Sequence, residues 1–89
     1  MTFTNIYELE TIYDSRDSFY HKANVLISKG KKTLFSYNTK VAEVSGKNVT
    51  LFADAVCSQT TLRHVKEFLK QEGFKAENKK QILTDYKMI

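Results

Sequence analysis

Proline and tryptophan are missing from this sequence, cysteine occurs once, and there are only three glycines in 89 residues. The lone cysteine, Cys57, excludes an intramolecular disulfide and fits a reducing compartment. Zinc is short of ligands as well. A closed site takes about four Cys or His side chains, and Cys57, His21 and His64 stand far apart in no recognised spacing. No glycine-rich phosphate cradle is present: Ser28-Lys29-Gly30-Lys31-Lys32 lacks both Walker and dinucleotide spacing. No apolar run approaches the roughly 20 residues of a membrane span. The opening MTFTNIYELE lacks the basic and apolar regions of a signal peptide. The expectation is a cytoplasmic protein with no metal, no cofactor and no membrane partner.

Catalytic groups are equally sparse. Nucleophilic catalysis needs a nucleophile, a base and an orienting acid held together. Here one cysteine, two histidines and scattered carboxylates fall in no such arrangement. The sequence therefore reads as non-enzymatic. Cys57, in AVCSQTT, reads as a small buried residue rather than a reactive thiol.

What is present is ordinary for a folded chain: 42% hydrophobic and 27% charged residues. The length suits one domain, residues 1–89. Charge is uneven. Residues 1–17 hold Glu8, Glu10, Asp14 and Asp17 against Arg16 alone, a net of −3, and the other 72 residues carry the balancing +7. A basic body favours polyanions such as nucleic acid or acidic protein surfaces.

The periodicities predict an α+β fold. In FYHKANVLIS (19–28), Phe19, His21, Ala23, Val25 and Ile27 form the more apolar alternate set and are expected on the core face. Gly30 and Gly46 mark turns. KTLFSYNTKVAEVS (32–45) reads as one long strand with a bend or bulge at Asn38, and NVTLFA (48–53) as a short one. YELETIY (7–13) leans to a strand over a short helix. The expected sheet is thus a three- or four-stranded antiparallel meander. QTTLRHVKEFLKQE (59–72) is the clearest element. Its Leu62, Val65, Phe68 and Leu69 span about 120° of a helical wheel. Ser58 is placed as N-cap and Gly73 as the terminating glycine, with Phe74 closing the end. In the tail, Asn78 and Gln81 resemble a capping box, so a short second helix is expected, with a terminal strand as the alternative.

Two basic features stand out. Lys29, Lys31 and Lys32 cluster at the first hairpin tip. Arg63, Lys66 and Lys70 lie within about 60° of one another on the main helix, beside its apolar stripe. Glu67 is positioned to pair with Arg63, and His64 falls on the polar side of the helix. These six cations are the expected nucleic-acid contacts, tracking phosphates without reading sequence. Tyr20, Phe35, Tyr37 and Phe52 form a second, weaker candidate, a base-stacking platform on the open sheet face, although most of them are expected in the core. Lysines of this kind also serve solubility alone.

The runs YDSRDSFYHKA (13–23), LFSYNTKVAEV (34–44) and TTLRHVKEFLKQEGF (60–74) resemble a family of small uncharacterised proteins from phages and plasmids of Gram-positive bacteria. The resemblance covers most of the chain, with SFYHKA and TTLRHVKEFL its most specific parts. It implies a mobile-element origin and a lone domain, which makes the cytoplasm expected above that of a host cell. It carries no catalytic or binding residue over. The reading is a nucleic-acid-binding accessory protein. The alternative is a protein-binding inhibitor of a host or defence system, anti-CRISPR-like, working through the acidic N-terminal segment with Tyr7 and Tyr13, or through an exposed sheet edge. A free strand edge also makes a homodimer compatible with the sequence.

Overall fold

A computed structural model describes residues 5–15, 18–19, 21–56 and 58–89. Expectations for Tyr20 and Cys57 lie outside the described residues. The elements run β1 (Asn5–Glu8), β2 (Ala23–Ser28), β3 (Lys31–Ser36), β4 (Thr39–Ser45), β5 (Asn48–Leu51), α1 (Gln59–Gln71), α2 (Lys79–Asp85) and β6 (Lys87–Met88). The class is α+β, as expected. Among the described residues the sheet has six strands rather than three or four, in the order β1-β2-β3-β4-β5-β6.

Turn chemistry accounts for part of the difference. The run 32–45 is a hairpin, not one bent strand. Tyr37 and Asn38 both take positive φ, 52° and 67°, between the paired residues Ser36 and Thr39. Two consecutive left-handed residues make a type I′ turn, whose twist matches that of the flanking strands. Lys29-Gly30 does the same at β2–β3, with φ of 53° and 77°. At β4–β5 only Gly46 of the two turn residues has positive φ, which fits a type II′ turn. Asn38 is therefore a turn residue, and the irregularity lies beyond it. The β3–β4 register shifts between Leu34 and Phe35, because Val41 is an extra residue in β4. Val41 and Ala42 are consequently both buried.

The remaining extra strands are edges. β1 pairs antiparallel with β2, so the N-terminal segment is a strand over Asn5–Glu8 and leaves regular structure after that. β6 is only two residues long and pairs parallel with β5.

The strands alternate as a one-sided sheet requires. Ala23, Val25, Leu34, Val44, Val49 and Leu51 point to one face and are buried. Val65, Phe68 and Leu69 of α1 join the same core, as does Ile82 of α2. Leu9 and Phe19 close its rim. His21 departs from the expected core face: it has φ of 66°, is exposed, and its ring lies 2.9 Å from Glu8. On the opposite face Leu26, Thr33, Glu43 and Thr50 form one cross-strand row and Phe35 faces Lys40.

Both helices start as their sequences dictate. Ser58 accepts from the Thr61 N–H at 3.1 Å, and Asn78 accepts from Gln81 at 2.8 Å. α1 ends where Gly73 turns to φ of 88° and the Phe74 N–H donates back to the Leu69 carbonyl at 2.8 Å. No helix is long and apolar enough to cross a membrane among the described residues.

Candidate functional site

The outer side of α1 is not bare. Residues 10–15 run across it and are fastened there by three helix side chains. Glu67, only 1% exposed, accepts through Oε1 from the backbone N–H groups of Tyr13 at 2.9 Å and Asp14 at 2.8 Å. Its Oε2 accepts from Gln71 Nε2 at 2.6 Å, and the same amide nitrogen also donates to the Glu10 carbonyl at 2.6 Å. One helical turn away, Arg63 Nη1 reaches Asp14 Oδ1 at 3.2 Å. The expected Arg63–Glu67 pair is therefore not made. Both side chains bind the crossing segment instead, because a buried carboxylate facing two backbone donors is better satisfied there than by a guanidinium at the rim.

Between this segment and α1 lies a groove of about 820 Å³. Its walls carry Arg63, Lys66 and Lys70 from α1 and Lys79 from α2, together with Tyr13, Asp14 and Ser15 of the crossing segment. Leu62 and Val56 give it an apolar stretch, and Ser58 and Gln59 bring in the N-terminus of α1. Arg63 is matched by Asp14, whereas Lys66, Lys70 and Lys79 form no ion pair with any described residue. The first turn of α1 holds no acidic residue to oppose an anion.

The six expected cations divide. Arg63, Lys66 and Lys70 are brought together along the groove. The hairpin lysines stand apart from it and from one another. Lys31 and Lys32 are consecutive in β3 and so point to opposite faces. Lys31 lies 3.8 Å from Glu43, and Lys32 lies 3.0 Å from Glu72. Lys29 is exposed in the turn. Sequence reasoning missed Lys79, and it placed Tyr13 with Tyr7 in a protein contact rather than beside the basic stripe. Lys79 sits in a different helix, at a sequence distance no helical wheel spans. Tyr13 has one visible signal, an aromatic next to the basic-stripe partner Asp14, but its placement depends on Glu67.

The aromatic candidates also separate. Phe35 is partly exposed on the helix-free sheet face, and the partly exposed Phe52 follows β5 with Lys40 4.7 Å above its ring. Neither belongs to the core, contrary to expectation. Tyr37 tops its hairpin with Lys22 5.3 Å from its ring and His64 5.8 Å away. His64 itself is not on a solvated face. It is 1% exposed, its Nδ1 lies 2.7 Å from Ser36 Oγ, and its ring meets Phe19 edge-on at 4.5 Å. Burial of its partners on β3 turns a position that looked polar into part of the helix–sheet contact.

Among the described residues, no group of three or more His, Cys, Asp or Glu side chains is placed to hold a metal ion. The chain belongs to a family of unknown function, DUF8033, whose model matches residues 7–84. No curated protein and no solved structure matches it.

Proposed function

We propose that this family member is a non-enzymatic nucleic-acid-binding domain that holds the phosphate backbone in the groove along α1. The observation that carries the reading is the trio Lys66, Lys70 and Lys79, three ammonium groups that line one concave surface and pair with no carboxylate among the described residues. Lys66 and Lys70 are one turn apart, about 6 Å along the helix axis, so each meets a phosphate of its own. Arg63 contributes to the wall while bound to Asp14. Lys29, Lys31 and Lys32 fall outside the groove and are surface lysines in this reading. Contacts of this kind position a polyanion without reading its sequence.

Three phosphates neutralised give a log–log salt slope of about −2 for a single strand and about −2.7 for a duplex. Affinity measured by fluorescence anisotropy then falls roughly 20- to 40-fold between about 50 and 200 mM salt. Replacing Lys66, Lys70 and Lys79 together by Ala removes the binding and leaves the fold intact. Binding that survives the triple replacement, or no binding at low salt, overturns the reading.

A second reading, a mobile-element-encoded inhibitor of a host protein, draws support from the β1 edge, where Ile6 is 69% exposed on a strand paired on one side only among the described residues. It predicts a nuclease-resistant complex with a host protein that Ile6→Lys disrupts. A complex that Ile6→Lys leaves intact removes the edge from consideration.

A further inference from the structure

We infer that the α1 groove takes single-stranded nucleic acid, with Tyr13 as a base-stacking platform beside the lysines. This rests on the phosphate-binding reading above and adds the class of ligand. Tyr13 is 58% exposed and lines the same groove as Lys66 and Lys70. Its ring packs on no other ring among the described residues. The backbone beneath it is nevertheless fixed, because its N–H donates to the buried Glu67 carboxylate at 2.9 Å. An exposed aromatic on a pinned backbone loses little conformational freedom when a base lies against it. Leu62 and Val56 extend the apolar surface along the same wall.

Shape and chemistry together select the ligand. A duplex is a stiff rod, straight over about 150 base pairs. It presents phosphates outward and keeps base faces stacked inside. It would rest on the rim of a concave groove, and neither Tyr13 nor the apolar wall would meet it. A flexible single strand enters, places phosphates on Lys66, Lys70 and Lys79, and turns an unstacked base onto the Tyr13 ring. Cations interleaved with an aromatic in a groove are what sequence-tolerant single-strand binding uses. The open sheet face offers Phe35 and Phe52, but Lys40 already covers Phe52, and Glu43 there lies beside Lys31. Among the described residues, cations without an ion-pair partner and a ring stacked on no other ring coincide in the groove.

The test compares a labelled oligothymidylate of about 12 nucleotides, within the site size of small single-strand-binding domains, with a mixed-sequence duplex of the same length. At about 50 mM salt the single strand is expected to bind roughly 5- to 10-fold more tightly or better, the contribution of one stacked base that the duplex cannot offer. Tyr13→Ala should weaken it about 5- to 150-fold, the effect of losing one stacked base, without changing the salt slope, and Tyr13→Phe should retain binding. Single Lys→Ala replacements at 66, 70 or 79 each flatten the slope by about 0.7. Circular dichroism of each variant verifies the fold. Duplex binding equal to or tighter than single-strand binding overturns this inference while leaving the phosphate-binding reading standing. Loss of binding with Phe35→Ala but not with Tyr13→Ala moves the strand to the sheet face and overturns the groove. Binding of neither probe sinks both.

Discussion

Glu67 gives the sharpest test of how the groove is built. Its carboxylate is buried on α1 and accepts three hydrogen bonds, two from the crossing segment and one from Gln71. Hydrogen bonds to charged groups contribute about 1.5–3 kcal/mol each. The two backbone donors of Tyr13 and Asp14 are only part-buried, so on losing their acceptor they recover water as the segment lifts. The full sum is therefore not lost, and Glu67→Ala should cost about 2–4 kcal/mol. That is a large share of the roughly 5–15 kcal/mol that stabilises a small domain, and it should lower Tm by about 10–25 °C. Glu67→Gln is the finer perturbation. Its remaining carbonyl oxygen still serves Tyr13 and Asp14, but its new NH₂ faces Gln71 Nε2. Gln71 cannot invert its amide to accept, because the same nitrogen donates to the Glu10 carbonyl. The Gln variant should fall between wild type and Ala. Thermal denaturation followed by circular dichroism measures the loss, and hydrogen exchange at the Tyr13 and Asp14 amides locates it. A Glu67→Ala protein within about 0.5 kcal/mol of wild type, the range of an ordinary surface substitution, or with those two amides still protected, would refute the argument that the carboxylate holds the segment.

Two further outcomes are expected. Lys29→Asn places the preferred Asn-Gly pair in a type I′ turn where lysine now sits at φ of 53°, so urea denaturation should show a gain of about 0.5–1 kcal/mol, with oligonucleotide affinity unchanged because Lys29 lies outside the groove. The Tyr86 hydroxyl, whose pKa is raised above its usual value of about 10 by burial and then by Asp85, is neutral in both folded and unfolded chains below pH 10. Above that the unfolded chain ionises first, so stability should decline as pH rises through the folded pKa, and Tyr86→Phe should show a shallower decline above about pH 10.

Elements governed by local chemistry were legible in the sequence. The α1 stripe, the Ser58 and Asn78 caps and the Gly73 end are all contained within a few neighbouring residues, and each is found where expected. The β3–β4 turn was not legible, because tyrosine is a poor predictor of positive φ and Tyr37 adopts it within a hairpin held at both sides. Edge strands were the other gap. β6 has two residues, too few for any alternation, and its pairing is decided by where α2 ends. For the site, the α1 cations were readable from helical spacing. Which of them lack an acidic partner was not, since Arg63–Asp14 and Lys32–Glu72 join residues 49 and 40 positions apart. The same holds for His64, whose polar partner Ser36 is 28 residues away on another element.

The sheet's topology also sets an order of assembly. Four of its five strand pairings are antiparallel between consecutive strands, and three of those close through two-residue turns. Contacts that near in sequence form with little loop-closure entropy and favour rapid folding. The fifth, Thr50 with Lys87, must await an excursion that contains both helices. The meander can thus be complete while the C-terminal strand is still free. The lysine groove draws on the same distant stretch: Lys66 and Lys70 stand on α1, and Lys79 comes from α2, the helix that leads into β6.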